Sequence, residues 1–139
     1  MTAFAIDAST VLAFVLPEAH TAAATNFLES ITPNDELIAP AFLLVECTSI
    51  IRERLFDGAI TRGEAGEALD IALSLPIRPV VDLGQHTAAL RISERRNTKK
   101  AYDAHYLAVA DIERAEMVTI DGGMYQGAIE MRLAARLLR

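Results

Sequence analysis

The sequence predicts an α/β domain: a three-layer α/β/α sandwich with helices on both faces of a central parallel sheet of four or five strands. Three observations predict it. Short apolar runs alternate with longer amphipathic segments, which is the pattern of βα units feeding a parallel sheet. The 139 residues suit one domain with one core. Just over half of them are hydrophobic, and no repeat, low-complexity tract or long linker divides the chain.

Ala3 to Ile6 is short and apolar and reads as a buried strand. Asp7, Ser9 and Thr10 follow, with Ser9 the expected cap of a helix that ends near Pro17. His20 to Ile31 reads as a second helix, closed by Thr32, Pro33 and Asn34, and Leu37 to Ala39 as a short strand. Ala41 to Phe56 carries a strong amphipathic helix that stops at Asp57 and Gly58. A further helix spans Thr61 to Leu73 before Pro76 breaks it. Arg78 to Val81 is the next strand. Asp82 to Arg96 reads as a helix, with Leu83, Ala89, Leu90 and Ile92 available for packing. After a polar break at Asn97 to Lys100, Ala101 to Arg114 is an alanine-rich helix whose small side chains permit close packing on a sheet. Met117 to Ile120 is a strand, Met124 to Glu130 a short helix, and the tail is expected to end as a strand near Arg136 to Leu138.

Composition narrows the function. The formal net charge of −6 argues against a general nucleic-acid-coating protein, which would carry a basic face. It does not exclude a nuclease, because bound cations neutralise an acidic site and bridge it to phosphates. Arg91, Arg95, Arg96, Lys99 and Lys100 are clustered, opposed locally by Glu94. They form either a solvated helix face and loop or a phosphate-contacting patch, with Arg95, Arg96, Lys99 and Lys100 the candidate RNA contacts. No apolar run approaches a membrane span, and the N-terminus lacks the pattern of a signal peptide. Cys47 is the only cysteine, which suits a reducing cytoplasm.

Four carboxylates stand out. Asp7 and Asp121 each follow a predicted strand, at the edge where open parallel sheets bind ligands. Capping the next helix and making a turn with Gly122 are their structural alternatives. Glu46 falls within the apolar stripe Leu43, Cys47, Ile50 and Ile51, where a lone buried carboxylate costs several kcal/mol unless paired or ligated. An arginine salt bridge or a metal ion would account for it. Asp103 begins a helix, where the helix dipole also favours an acid. Four acids without a histidine or cysteine cluster suit a hard cation, Mg²⁺ or Mn²⁺. Such a site activates water and stabilises charge during phosphodiester cleavage without a protein nucleophile.

The segments Ala5-Ile6-Asp7-Ala8-Ser9, Pro40 through Glu46, Tyr102 through Ala108 and Thr119-Ile120-Asp121 occur in an order that resembles PIN-domain proteins, particularly the VapC-type toxins of toxin–antitoxin pairs. The resemblance covers almost the whole chain, 1–139, as one PIN-like nuclease domain. It implies a metal-dependent endoribonuclease, a cognate VapB-type antitoxin and a homodimer. It carries Asp7, Glu46, Asp103 and Asp121 over as the catalytic and metal-binding acids, with Ser9 and Thr119 as supporting polar residues. The glycine pair after Asp121 departs from the more polar stretch of many relatives.

The remaining residues weigh less. His105 reads as a packing or surface histidine, and His20 and His86 lack ligand-like partners. Cys47 reads as a buried small side chain. Tyr102 and Tyr106 are candidates for base stacking, but helix packing explains both. Leu12, Val15, Phe27, Leu28 and the Ala41–Phe56 region are candidates for a partner-facing surface. Two other functions compete. A metal-dependent phosphatase would place a second acid two positions after Asp7, where Ser9 stands. A non-catalytic PIN-like scaffold would keep the fold without the chemistry.

Overall fold

Five parallel strands form one sheet in the order β3-β2-β1-β4-β5. The computed structural model describes residues 2–139. The strands are β1 (Ala3–Ile6), β2 (Glu36–Pro40), β3 (Ile77–Val80), β4 (Glu116–Thr119) and β5 (Ala135–Leu137). Between them run α1 (Ala8–Val15) and α2 (Thr21–Glu29), α3 (Leu43–Phe56) and α4 (Arg62–Ser74), α5 (Gly84–Arg95) and α6 (Tyr102–Ile112), and finally α7 (Gly122–Glu130). Every predicted element is present, with ends displaced by no more than two residues. The tail pairs with β4 as the fifth strand.

The order of crossovers sets the layers. The chain steps outward from β1 through β2 to β3, then returns past β1 to β4 and β5. Right-handed crossovers therefore put α1–α4 on one face and α5–α7 on the other. The direction reverses between β1 and β4, so their carboxyl ends form the topological switch point, where open α/β sheets bind ligands. Register brings Ile6 beside Val118, and Asp7 and Thr119 follow directly on the two strands.

The sheet is buried on both faces. Ile6, Ile38, Met117 and Val118 are fully enclosed, as are Leu107, Ala108, Val109 and Ala110 of α6. The alanine run lets α6 lie close against β1, β2 and β4. Phe27 packs edge-on to Phe4 with ring centroids 5.4 Å apart. Leu12 and Phe27 thus belong to the core and not to a partner-facing surface, because α1 and α2 turn them inward. Within the Ala41–Phe56 region Val45 and Phe56 are exposed, and further exposed large apolar residues include Leu73, Val81, Leu83, Leu90 and Tyr102.

Helix ends follow local chemistry. Thr61 and Glu64 form a reciprocal capping box at the start of α4. Gly58, at φ +74°, lies just past the end of α3, where a left-handed residue stops a helix. Asn97, at φ 53°, does the same after α5. Two expectations need correction. Asp7, not Ser9, caps α1, because its carboxylate reaches the Thr10 amide. Leu83 and Leu90 are exposed: α5 turns Gln85, Ala89, Ile92 and Ser93 inward instead.

Candidate active site

Asp7, Glu46, Asp103 and Asp121 line one cleft of about 270 Å³ at the switch point. Each arrives by a different route. Asp7 ends β1, Asp121 follows β4, Glu46 lies in the first turn of α3 after β2, and Asp103 lies in the first turn of α6.

Asp7 is the most constrained. It is buried, and its Oδ1 accepts hydrogen bonds from Ser9 Oγ (2.8 Å), Thr10 Oγ1 (2.9 Å) and the Thr10 amide (3.1 Å). Its Oδ2 accepts one, from Thr119 Oγ1 at 2.7 Å. The same Thr119 oxygen accepts the Asp121 amide at 2.9 Å, so one hydroxyl ties the ends of β1 and β4 together. Burial raises the Asp7 carboxyl above its ordinary range, against the lowering effect of its four hydrogen bonds.

The other acids are held more lightly. Glu46 is half-buried at the border of the α3 stripe, where Leu43, Cys47 and Ile51 take the core positions. It faces the cleft instead of the core, so the expectation of a fully buried carboxylate is corrected. The buried Tyr106 donates its hydroxyl to Glu46 Oε1 at 3.2 Å. Glu46 is raised first by burial and then by the nearby charges of Asp103 and Asp7. Asp121 caps α7, its Oδ1 accepting the Met124 amide at 3.0 Å. Asp103 sits exposed on the lip; partial desolvation and then the Asp121 charge raise it, while Arg96 lowers it. Among the described residues, none of the four forms a salt bridge.

The donors are all oxygens, and Glu46 Oε2, Asp121 Oδ2 and both oxygens of Asp103 have no protein hydrogen-bond donor among the described residues. No three Asp, Glu, His or Cys side chains among the described residues close into a ligand cluster of their own. The free oxygens, not a ready-made cage, suit a hard cation such as Mg²⁺, which takes one or two carboxylates and keeps several waters. The mutual repulsion of the acids is the electrostatic reason a cation would be favoured there.

Several residues differ from the sequence reading. The sequence does not single out Thr10, Glu18 or Arg54 for the site, and it offers Tyr106 for base stacking or packing, not as a partner of Glu46. Thr10 and Tyr106 anchor two of the acids, whereas Glu18 and Arg54 line the cleft. The Asp-x-x-Thr spacing of Asp7 and Thr10 is itself a capping signal; nothing in sequence pairs Tyr106 with Glu46. The basic cluster divides. Arg95, Lys99 and Lys100 are exposed. Arg96 is largely covered and engaged within the protein, bonding Glu130 at 3.2 Å and the Gly123 carbonyl at 3.0 Å. Burial pushes the Cys47 thiol up to about 12, so it is no thiolate nucleophile at neutral pH. His105 is half-buried against Phe42, its Nδ1 2.9 Å from Gln85 Nε2.

The PIN domain family model matches residues 4–129, a span that includes all four acids. The chain belongs to the PIN domain family. Solved structures agree with the fold. The chain is similar to Mycobacterium tuberculosis VapC20, a Sarcin-Ricin loop cleaving toxin, with a TM-score of 0.69 and 20% identity over 88% of this chain and 92% of that one. It is similar to PAE2754 from Pyrobaculum aerophilum, with a TM-score of 0.65 and 20% identity over 91% and 86% of the two chains. FitAcB from Neisseria gonorrhoeae gives a TM-score of 0.64 and 16% identity over 96% of each chain. No curated protein sequence matches significantly. Among the described residues, no helix of this PIN domain is long and apolar enough to cross a membrane.

Proposed function

We propose that this PIN domain is a metal-dependent endoribonuclease, acting as the toxin of a VapBC-type pair. The observation that carries the reading is the convergence of four acids from separate elements on one switch-point cleft, none neutralised by a salt bridge. Asp7, Glu46, Asp103 and Asp121 would hold Mg²⁺ or Mn²⁺, some directly and the others through the ion's waters. A divalent cation there supplies Lewis acidity for attack of water on a phosphodiester and for the charge that develops on phosphorus. The protein's part is positioning. Thr119, Ser9 and Thr10 fix the Asp7 carboxylate, Tyr106 fixes Glu46, and the start of α7 fixes Asp121. Arg54, at the cleft wall, offers a cation to an RNA phosphate. The exposed apolar residues Phe56, Val81, Leu83 and Leu90 offer surface to a VapB-type antitoxin and to a second copy of the chain.

The test is cleavage of an RNA pool by the antitoxin-free protein with Mg²⁺ or Mn²⁺, with and without EDTA. Cation-dependent cleavage is expected, abolished in Asp7→Asn and Asp103→Asn variants that keep a native circular-dichroism spectrum. A protein that cuts no RNA and binds neither cation by calorimetry overturns the reading; cation binding without cleavage favours a PIN-like scaffold. Light scattering of the free and antitoxin-bound protein tests the assembly, and a monomer that binds no antitoxin contradicts it.

A further inference from the structure

Beside the acidic cleft lies a wider cavity of about 500 Å³ that shares Glu46 and Asp103 with it. Ser49 and Glu53 of α3 and Lys100 and Tyr102 at the start of α6 complete its wall. The structure separates the two tyrosines of α6. Tyr106 is buried, and packing accounts for it. Tyr102 is 61% exposed, and packing does not. The Phe42 ring meets it edge-on at 6.3 Å and 75°, which orients the ring while much of it stays open to solvent. Lys100 lies two residues before it, with its own carbonyl held by the Thr98 hydroxyl at 3.1 Å. Ser49 and Glu53 follow Glu46 by three and seven residues on the same side of α3.

An oriented, exposed aromatic ring, a lysine, a serine and a carboxylate next to the proposed phosphodiester-cleaving site are the parts of a nucleotide subsite. We infer that this cavity binds a nucleotide flanking the scissile phosphate of single-stranded RNA, with its base stacked on Tyr102 and a phosphate near Lys100. The inference rests on the ribonuclease reading for its substrate. Stacking on Tyr102 requires an unpaired base, so loops and single strands are accepted and duplexes are not. Glu53, when ionised, only accepts hydrogen bonds. It therefore suits a base edge that presents an N–H donor.

Two measurements separate this inference from the reading beneath it. The first is binding of fluorescein-labelled single-stranded RNA oligonucleotides in the cleavage-silent Asp7→Asn background. There, adding Tyr102→Ala is expected to weaken binding about ten-fold and Tyr102→Phe to leave it unchanged. The second is cleavage kinetics, in which Tyr102→Ala and Lys100→Ala raise KM and leave kcat near that of the unsubstituted protein. If the unsubstituted protein does not cleave while Tyr102-dependent binding persists, the ribonuclease reading fails and the cavity stands only as a single-strand-binding site, with no scissile phosphate beside it. If it cleaves while Tyr102→Ala changes neither binding nor KM, the subsite is overturned. A Tyr102→Ala variant that instead alters oligomeric state in light scattering also overturns it, since Tyr102 would then serve a protein interface.

Discussion

At the scale of single residues, Asp7 does two jobs with two oxygens. Oδ1 caps α1 and gathers Ser9 and Thr10, whereas Oδ2 meets Thr119 alone. Capping occupies Oδ1, so the metal binding proposed for Asp7 would fall to Oδ2, which has one protein donor. This predicts different outcomes for two substitutions. Asp7→Asn keeps an oxygen acceptor for the cap, so thermal unfolding should show little loss. Asp7→Ala removes the cap and strands the buried hydroxyls of Thr10 and Thr119, so denaturant unfolding should show at least about 2 kcal/mol of destabilisation. Tyr106→Phe addresses Glu46 in the same way. Stability should change by no more than about 1–2 kcal/mol, while Mn²⁺ affinity by calorimetry should fall about ten-fold as Glu46 loses its orienting partner. Unchanged affinity would show that Glu46 does not need Tyr106 to bind the ion.

At the scale of elements, α7 matters because Asp121 is its cap. Arg96 reaches from the end of α5 to the Gly123 carbonyl and Glu130, bracing that helix at both ends. Gly127 makes the approach possible, since a Cβ there would stand 2.8 Å from Leu107 Cδ1 and 2.9 Å from Arg96 Cζ. Leu107 is fully buried and has no room to move. Gly127→Ala should therefore destabilise by about 1–3 kcal/mol through overpacking. Gly66→Ala, in the middle of α4 with open space around it, should instead stabilise by about 0.5–1 kcal/mol. Chemical denaturation of the two variants side by side checks both signs. Helix α5 shows where periodicity misleads. Its inward stripe is Gln85, Ala89, Ile92 and Ser93, half of it polar. Those polar groups are accommodated because Ser93 Oγ bonds the Ala89 carbonyl and Gln85 bonds His105. A reading that seeks apolar residues inward selects Leu83 and Leu90, which the structure leaves exposed.

At the scale of the whole molecule, crowding the acids has a linkage consequence. In the folded protein, Asp7, Glu46 and Asp103 have pKa values raised above the ordinary 3.8 and 4.5, chiefly by desolvation. Between the ordinary and raised values the folded state binds more protons than the unfolded state, so stability falls as pH rises through that window and is flat above it. Acidifying the metal-free protein from neutral pH into that window should raise its melting temperature. His105, lowered by burial and then by His86, opposes the gain as pH falls below its ordinary 6.5, so the carboxyl effect is read in a His105→Asn background. The surface carboxylates Asp35 and Glu36 are held below their ordinary values and oppose it only at lower pH. Saturating Mg²⁺ or Mn²⁺ should stabilise the protein near neutral pH and weaken the acid-side gain, because the cation now favours the ionised acids. Scanning fluorimetry across pH, with the cation or with EDTA, reads both effects. A metal-free melting temperature that only falls on acidification would show that these carboxyls are not the dominant titrating groups.

The sequence by itself determined the α/β order of elements, because strand and helix periods differ and the turn residues between them are local signals. It determined that Asp7 and Asp121 follow strands, and that Asp103 and Glu46 open or interrupt helices, because those are facts of chain position. Family resemblance then grouped the four. The tertiary structure alone decided that β1 and β4 are neighbours, and thus that Asp7 and Asp121 share a switch point through Thr119. It also placed Tyr106 on Glu46, engaged Arg96 within the protein instead of leaving it free, and left Tyr102 open beside the cleft. Sequence distance is the physical reason: Thr119 lies 112 residues from Asp7, and Tyr106 lies 60 from Glu46. No local period or cap encodes such a pairing, which forms only when the sheet register and helix packing bring distant segments together.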